Sequence, residues 1–535
     1  MDTSSCFLLE RFQTKEIKLE KLRSIGDSIY ATEVEMIADI DKDCIPEIIS
    51  LKANEILIFD ALSGNVKKKF SIVLAYSFLT SFTLADINND NIPEIFIKSA
   101  GFGPNPIPFK DRIICYDISG NIIWISSDRI NINPNNENYG VLSLADFNQD
   151  GKPEIYIGNL VFNAITGKKL ADGGSNGLGR GYSSGISPTT LSVAGHFDAD
   201  SSDLELAAGY SIYKVILNNI NDSTGNIMIP YNIQINGQFR DGYTSIADIN
   251  LDNKLDVVIS CPGKTGEALV YAYSFVNSIP QLLAAVYPPS NGLEVSISVP
   301  CISRIKKSSS ISILINRENR LHCYSYNGTS ILNEDWVLNT SDGSGFTGIS
   351  FFDLNEDGQN EIIYRDETHL RILNEIGNIP VEIAKITCYS GTYGEYPVIA
   401  NLDNTGQAKI CVPCRDSQFN PYGHIAIFGP PDSLPWAPAR NVWNQYAYNP
   451  LQINDDLTVP RYQHNQATYK NGKYNNFYQQ ESLLDSNGMY KVPAASLSGA
   501  IQCINYDPLT DEYLVIFDVY NRKDASAIAD TNLAI

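Results

Sequence analysis

The stretch ADFNQDGKPEIYIG, which runs from Ala145 to Gly158, contains a motif that recurs along the chain. A short apolar run precedes the acidic sequence Asp-x-Asn-x-Asp-Gly-x-x-Glu, and a second apolar run follows it. Four copies keep this order: ADIDKDCIPEII from Ala38, ADINNDNIPEIFI from Ala85, ADINLDNKLDVVIS from Ala247 and FDLNEDGQNEIIY from Phe352. Two degenerate copies are GHFDADSSDLELAAG from Gly195 and ANLDNTGQAKICV from Ala400. Such recurrence indicates a repeat architecture.

The spacing of the copies predicts the number of units. Their first positions are residues 39, 86, 146, 196, 248, 353 and 401, with gaps of 47, 60, 50, 52, 105 and 48 residues. Because one gap is about twice the others, we expect a unit without the motif near residue 300. The text there, VSISVPC, SISILIN and RLHCYSY, is typical of strands. This gives eight units of about 52 residues.

A glycine turn downstream of most acidic loops completes the unit. Gly tolerates positive φ at a hairpin turn, and six units carry one, at Gly64, Gly120, Gly167, Gly225, Gly328 and Gly377. Each unit therefore reads as four short antiparallel strands, which is one blade of a β-propeller. We predict an all-β propeller over residues 1–430, with eight blades favoured and seven possible. Residues 7–34 are expected to supply outer strands that close the ring with the last blade.

The acidic loops have the composition of calcium sites. Calcium takes six to eight oxygen ligands at about 2.3–2.6 Å. Loop positions one, three and five would supply side-chain oxygens, position seven a backbone carbonyl and position nine a closing acid. The five predicted ligand sets are Asp39, Asp41, Asp43, Ile45 and Glu47; Asp86, Asn88, Asp90, Ile92 and Glu94; Asp146, Asn148, Asp150, Lys152 and Glu154; Asp248, Asn250, Asp252, Lys254 and Asp256; and Asp353, Asn355, Asp357, Gln359 and Glu361.

Position six of the loop must turn sharply and favours glycine or asparagine. Cys44 fits this position poorly, so the first site is expected to be strained or weak. The two degenerate copies are predicted to bind no calcium, because His196 replaces the first acid of one and Lys409 replaces the closing acid of the other. The alternative is that the loops are only Asx-rich turns. Five copies at fixed spacing favour about five structural Ca²⁺ ions.

These loops resemble the calcium loops of integrin α-chain N-terminal propellers and of FG-GAP or VCBS repeat proteins. The resemblance covers about residues 7–430. It implies a propeller with structural calcium, usually extracellular and often in adhesion or carbohydrate contexts.

The C-terminal fifth of the chain has a different composition. Residues 431–491 are rich in Pro, Trp and Asn, and are interpreted as a strap or linker that packs on the propeller. They resemble a segment that follows such propellers in large surface proteins of Bacteroidetes-type bacteria, with Arg440, Trp443, Asn444, Gln445, Asn454, Asp455, Asp456 and Pro460. Residues 492–535 resemble the start of an Ig-like β-sandwich, which needs about 100 residues. The chain is therefore interpreted as a fragment of a longer protein.

Charge and length exclude several classes of function. The 535 residues carry a formal net charge of −22, which argues against a nucleic-acid partner. No apolar run of 18 residues or more predicts a transmembrane segment. The first residues lack the pattern of a signal peptide. They leave a cytoplasmic protein or an incomplete reading frame open, and the resemblance favours an extracellular or cell-surface location. The CxxC formed by Cys411 and Cys414 is interpreted as two ordinary strand cysteines, with a local disulfide as the alternative.

Three functional hypotheses follow. The first is a non-enzymatic, calcium-stabilised module that binds an extracellular protein or glycan in adhesion. The second is a propeller enzyme of the polysaccharide lyase type, although no catalytic residues can be nominated from the sequence. The third is an architectural spacer.

Overall fold

The structure is a computed structural model. It describes residues 16–30, 34–52, 54–72, 82–99, 109–130, 139–181, 189–198, 200, 202–263, 267–290, 296–306, 310–392, 394–403, 405–418, 420, 422–431, 434–484, 497–507 and 512–521. Residues 7–15 and 31–33 of the predicted closing segment lie outside the described residues, as do residues 492–496, 508–511 and 522–535 of the C-terminal segment.

Eight antiparallel four-stranded sheets form the eight blades of a propeller, which we number along the chain. The first strand of the chain is β1 (Glu20–Tyr30). Blades 1 to 4 consist of β2 (Met36–Ala38), β3 (Glu47–Lys52), β4 (Glu55–Asp60) and β5 (Val66–Ser71); β6 (Phe82–Ala85), β7 (Glu94–Lys98), β8 (Ile113–Tyr116) and β9 (Ile122–Ile125); β11 (Ser143–Ala145), β12 (Glu154–Ile157), β13 (Leu160–Asn163) and β14 (Lys169–Asp172); and β16 (Val193–Gly195), β17 (Glu205–Ala208), β18 (Ser211–Ile216) and β19 (Ile227–Asn232).

The second half of the ring repeats the same order. Blades 5 to 8 consist of β20 (Tyr243–Ala247), β21 (Asp256–Cys261), β22 (Leu269–Val276) and β23 (Ile279–Val286); β24 (Cys301–Ser303), β25 (Ser312–Arg317), β26 (Arg320–Ser325) and β27 (Asn333–Asn339); β28 (Ile349–Phe352), β29 (Glu361–Arg365), β30 (His369–Glu375) and β31 (Pro380–Thr387); and β32 (Val398–Asn401), β33 (Ala408–Arg415), β34 (Tyr422–Gly429) and β1. A parallel pair, β10 (Tyr139–Gly140) with β15 (Thr189–Thr190), precedes blades 3 and 4.

The two ends of the propeller sequence close the ring by sharing blade 8. Strand β1 pairs antiparallel with β34, from Glu20 opposite Gly429 to Tyr30 opposite Tyr422. The predicted closure and the count of eight blades are therefore confirmed. Blade 6, formed by β24 to β27, begins at Cys301. It is therefore the unit without an acidic motif that was predicted near residue 300.

The core explains why the strands read as continuous apolar runs. Every residue of the second strands β7, β21, β25 and β29 is buried, because both faces of a blade pack against its neighbours. The edge strand β5, by contrast, is mostly exposed. Hydrophobic burial of this kind stabilises by about 25 cal/mol per Å² of apolar surface.

Residues 434–484, here called the strap, contact all eight blades at the ends that carry the acidic loops. Main-chain bonds join it to five blades, through Trp443 to Ile37, Asn444 to Leu84, Phe477 to Ile302, Tyr478 to Phe351 and Arg440 to Asn401. Side-chain bonds join it to the other three, through Gln445 to Leu144, Gln463 to His196 and Gln466 to Ile246. Its one 3-10 helix, Pro450–Gln452, is capped by Asn449.

The centre of the strap is an aromatic plug. Trp443 and Tyr448 stack with ring centroids 4.1 Å apart, and Trp443 Nε1 donates to Tyr396 Oη at 3.2 Å. Tyr478 packs edge-on against Tyr396 at 5.2 Å. All four side chains are fully buried. We call this end of the propeller the strap face and the other end the opposite face.

One cysteine prediction is wrong. Cys414 forms a disulfide with Cys388, with Cα atoms 5.2 Å apart, whereas Cys411 is free and buried. The two cysteines of the CxxC lie on one strand, so their side chains differ in direction and only Cys414 meets the segment after β31.

Further along the chain, β35 (Leu497–Asp507) and β36 (Glu512–Asn521) form a two-stranded hairpin. Within the described residues, no helix has the length and hydropathy that a membrane crossing requires.

Candidate metal centres

The five predicted loops share one backbone conformation. Position six is left-handed in every loop, with φ of +70° at Cys44, +67° at Asn91, +84° at Gly151, +69° at Asn253 and +85° at Gly358. Four of these residues are the Gly or Asn that tolerate this region, and Cys44 bears the cost of a Cβ. The sharp turn folds each loop back over its own first residue.

The turn is held by hydrogen bonds that recur from blade to blade. In blade 3, Asp146 Oδ2 accepts from Gly151 N at 2.7 Å, and Asp150 Oδ1 accepts from Lys152 N at 2.8 Å. The equivalent bonds occur in the other four loops, to Asp39 and Asp43, Asp86 and Asp90, Asp248 and Asp252, and Asp353 and Asp357. The side chains at positions one and five are therefore fixed by their own backbone.

The closing acid contributes one oxygen to the fold and leaves the other without a partner. Glu154 is fully buried, and its Oε2 accepts from Phe147 N at 2.9 Å. The other oxygen, Oε1, is buried with no hydrogen-bond partner, as are Glu205 Oε1, Asp256 Oδ1 and Glu361 Oε1 in blades 4, 5 and 7. A buried carboxylate oxygen without a donor is costly unless a cation meets it. These orphaned atoms fit a divalent cation held by the loop.

Blade 2 satisfies its closing acid with an amide. Asn88 Nδ2 donates to Glu94 Oε1 at 3.1 Å and to Asp90 Oδ2 at 3.1 Å. The oxygen and nitrogen of a side-chain amide are assigned from such hydrogen-bond networks. If the amide of Asn88 were rotated by half a turn, its oxygen would face a cation bound by Asp90 and Glu94. Blade 2 thus has the same ligand types as blades 3, 5 and 7.

Ionisation of the carboxyl groups is unfavourable in the loops without a metal ion. Burial raises the pKa of Glu94 to about 7, of Asp146 to about 6 and of Asp353 to about 7, and neighbouring carboxylates add to the effect. Burial also holds the pKa of Glu154, Asp256 and Glu361 well above the usual range. A divalent cation would reverse this preference by stabilising the ionised forms.

Blade 1 differs from the other four because a lysine enters its loop. Lys67, on β5, places Nζ 2.9 Å from Asp41 Oδ2, 2.9 Å from Asp43 Oδ2 and 2.6 Å from Glu47 Oε1. These are the acids at positions three, five and nine. Sequence reasoning missed this contact, since Lys67 lies 20 residues beyond Glu47.

Blade 4, predicted to bind no metal, nevertheless gathers three carboxylates. Asp198, Asp203 and Glu205 have oxygen atoms within 4.8 Å of one another. His196, at position one, instead bonds Gln463 O of the strap at 2.8 Å. Asp203 enters because the loop is one residue longer, a signal that the sequence contained. Beside this loop lies a cavity of about 440 Å³, lined by Gln149, His196, Asp198, Asp200, Tyr462, Gln463, His464 and Asn465.

A second set of buried charges lies at the opposite face. Arg365 Nη2 is 2.6 Å from Glu395 Oε1, and both side chains are 0% exposed. Burial raises the pKa of the nearby Glu35 to about 8, and Glu35 Oε1 accepts from Ser50 Oγ at 3.0 Å. This cluster is sealed within the propeller and forms no open groove.

Comparison with solved structures places the chain among propellers. No family model and no curated protein matches it. The V. cholerae biofilm matrix protein Bap1 is similar over 88% of this chain and 99% of that chain, with TM-score 0.58 and 16% identity. The exotype rhamnogalacturonan lyase YesX is similar over 89% and 83%, with TM-score 0.50 and 13% identity. A Bacillus licheniformis rhamnogalacturonan lyase has TM-score 0.48 and 14% identity over 89% and 83%. At these identities, the similarity to Bap1 and to YesX supports the fold alone.

Proposed function

We propose that this chain is a non-enzymatic, calcium-stabilised propeller module of a secreted or cell-surface bacterial protein, which binds an extracellular protein or glycan. The observation that carries the calcium assignment is the buried, unpartnered oxygen of the closing acid in blades 3, 5 and 7, whose loops also have an aspartate at position one. Calcium favours oxygen ligands with carboxylates, and each loop aligns them on a fixed left-handed turn. Of the five predicted sites, we assign ions to the loops of blades 2, 3, 5 and 7, because in blade 1 Lys67 Nζ contacts Asp41, Asp43 and Glu47.

Calcium would act here as a crosslink between strands. In blade 3, Asp146 directly follows the first strand, β11, and Glu154 begins the second strand, β12, so one ion would join both. Binding to the folded state alone stabilises by about 2.7 kcal/mol at 100 times Kd. Four such ions would make the propeller's stability strongly dependent on calcium.

The extracellular assignment is supported by the disulfide between Cys388 and Cys414. Disulfides persist in oxidising compartments and are rare in reducing ones. The adhesion assignment is supported by the similarity to a biofilm matrix protein over 99% of that protein's chain. Fold similarity alone does not transfer function, so the ligand is to be found by experiment.

The strap favours the opposite face as the binding surface. It contacts every blade on the acidic-loop face, and its Trp443 and Tyr448 fill the centre, where Trp443 packs on Tyr396 of the propeller. Loops on a rigid scaffold commonly carry binding sites, and the opposite face holds described connections between successive blades, such as residues 233–242 and 340–348. We therefore expect ligand to reach the molecule from that side.

A lyase is the second candidate, favoured by the similarity to YesX. A lyase needs an accessible base to abstract a proton beside a carboxylate. The Arg365–Glu395 pair at the opposite face is completely buried and already paired, so it supplies no accessible base. This arrangement favours the binding module over the enzyme.

A glycan array combined with a lyase assay on pectin-type polysaccharides tests the proposal. Calcium-loaded protein is expected to bind one class of glycan or an extracellular protein without forming unsaturated sugar ends. Unsaturated ends that disappear in the heat-treated control would establish the lyase instead. Absence of both binding and cleavage would favour an architectural spacer.

A further inference from the structure

We propose that blades 1, 4 and 8 carry a lysine ammonium group where the other acidic loops take a divalent cation. The marker of these blades is an aspartate at the third loop position. This inference rests on the calcium binding proposed for blades 2, 3, 5 and 7. It divides the ring into calcium-dependent blades and blades that carry their own cation.

The third position separates the two groups without exception among the seven acidic loops. Blades 1, 4 and 8 have Asp41, Asp198 and Asp403 there, and each aspartate pairs with a lysine: Lys67 at 2.9 Å, Lys214 at 3.7 Å and Lys409 at 3.5 Å. The other four loops have an uncharged residue at this position, namely Asn88, Asn148, Asn250 and Asn355. In these three blades a tethered lysine therefore accompanies an aspartate at position three.

Blade 1 shows the geometry most fully. Lys67 Nζ contacts the acids at positions three, five and nine within 2.9 Å, and Asp60 Oδ2 at 3.5 Å. An ammonium group is a compact charge with three donors, which matches three carboxylates. Glu47 consequently has both oxygens occupied, Oε1 by Lys67 and Oε2 by Ile40 N at 2.9 Å. In blade 3 the equivalent Oε1 of Glu154 has no partner.

The charge balance explains why blade 1 needs a resident cation. Its loop and the facing strand hold five carboxylates, because Asp60 of β4 lies directly opposite Glu47. The five are Asp39, Asp41, Asp43, Glu47 and Asp60. Blade 3 holds three, since Asn148 stands at position three and Asn163 lies opposite Glu154. Carboxylates packed in one loop repel one another and destabilise it. A lysine of the same chain balances their charge whatever the concentration of metal ions in solution.

Blades 4 and 8 also place a lysine in the loop from other strands, although in blade 4 the closing acid Glu205 keeps an unpartnered Oε1. Lys214 of β18 lies 3.7 Å from Asp200 and 3.5 Å from Asp203. Lys409 of β33 occupies position nine itself, and is 5% exposed beside Asp403. Three lysines on three different strands, β5, β18 and β33, thus enter equivalent loops. Independent placement of this kind argues against a chance contact of one flexible side chain.

Counting bound calcium tests the inference. The Lys67→Met variant keeps an unbranched apolar side chain in place of the lysine stem and removes its charge. Its matched control is Lys68→Met, on the same strand at an exposed position. After equilibrium dialysis against CaCl₂ and metal analysis, wild type and Lys68→Met are expected to bind four Ca²⁺ per chain, and Lys67→Met five. Equal counts in all three proteins would overturn the inference alone, whereas no calcium in wild type would overturn the proposed calcium binding.

A second measurement uses the unmodified protein and does not depend on a variant folding. Acetylation followed by peptide mass spectrometry reports the reactivity of each lysine. Lys67 is expected to react at least ten times more slowly than Lys68 and Lys69, with equal protection in CaCl₂ and in EDTA. Lys67 reactivity that rises on adding calcium would show that the ion displaces the ammonium group, and would overturn the inference.

Discussion

At the residue scale, the closing acid of each loop has opposite effects with and without calcium. Glu154 is buried with one unpartnered oxygen, so its negative charge destabilises an empty loop and would stabilise a loaded one. The amide of glutamine can still accept from Phe147 N. The carboxylate of Glu154 should therefore lower the free energy of unfolding when the loop is empty and raise it when calcium is bound.

We predict that Glu154→Gln is as stable as wild type or more stable, by about 1–3 kcal/mol, in EDTA at pH 8. In excess calcium the same variant is expected to be less stable by about 2–3 kcal/mol, because one ion is bound weakly. Urea unfolding in both conditions provides the measurement, with exposed Glu267→Gln as the control. A variant that loses stability equally in EDTA and in calcium would contradict the metal role of Glu154.

Glu35 gives a pH dependence with a defined direction. Burial raises its pKa to about 8, above the usual value in an unfolded chain of about 4.3. When the pKa of a carboxyl group is higher in the folded protein than in the unfolded chain, the stability that this group contributes is fully present below its unfolded-state pKa. That contribution is lost as the pH rises through its folded-state pKa. The nearby charges are Arg365 and Glu395, which are paired with each other.

We therefore expect Glu35→Gln to match wild type near pH 4.5 and to exceed it in stability by a few kcal/mol near pH 8.5, at about 1.4 kcal/mol per pKa unit. The difference between variant and wild type, measured by urea unfolding across this range, isolates the residue from other titrating groups. A constant difference at all pH values would show that Glu35 is ionised in the folded protein.

At the element scale, the features that could be predicted are those that depend only on residues close together in the sequence. The acidic loops and glycine turns were predictable because each is fixed by neighbouring residues, such as Gly151 over Asp146. The contact of Lys67 with Glu47 was not, because it depends on a register shift in the pairing of β4 with β5, between Ile58 and Phe59. Cys388 and Cys414 likewise meet only after two blades have packed together.

The disulfide joins the end of β31 in blade 7 to β33 in blade 8, next to the place where β1 closes the ring. It spans 26 residues of sequence, and loop entropy for such a length predicts a stabilisation of about 3 kcal/mol. We expect the Cys388→Ser, Cys414→Ser double variant to lose this amount and to become insensitive to reductant. Urea unfolding with and without dithiothreitol measures it, and exposed Cys44→Ser should retain the wild-type response to reductant. Equal stability of the double variant and wild type would contradict this role.

At the scale of the whole molecule, the repeat spacing predicted eight blades and the closure by the N-terminal strand. The path of the strap around the ring was not predictable, because its contacts join residues as distant as Thr83 and Asn444. Its sequence has no period that would match it to particular blades. The strap nevertheless supplies a second closure, since it bonds to all eight blades, whereas β1 pairs with β34 of blade 8 and bonds to blade 1 through Asp27 and Lys52.

The second closure predicts that one residue at the centre of the strap affects the whole ring. Trp443 is fully buried, stacks on Tyr448 and donates to Tyr396, so Trp443→Ala is expected to lower the free energy of unfolding by about 3–5 kcal/mol. Because the strap holds the first strands of different blades, hydrogen exchange should increase at those strands in several blades, not only at Ile37, which Trp443 contacts directly. The control is Tyr462→Ala, on the same strap but 61% exposed, which should change stability by less than about 0.5 kcal/mol. Faster exchange confined to blade 1 would mean that the strap is a local cover, whereas faster exchange around the ring follows from a strap that closes the propeller.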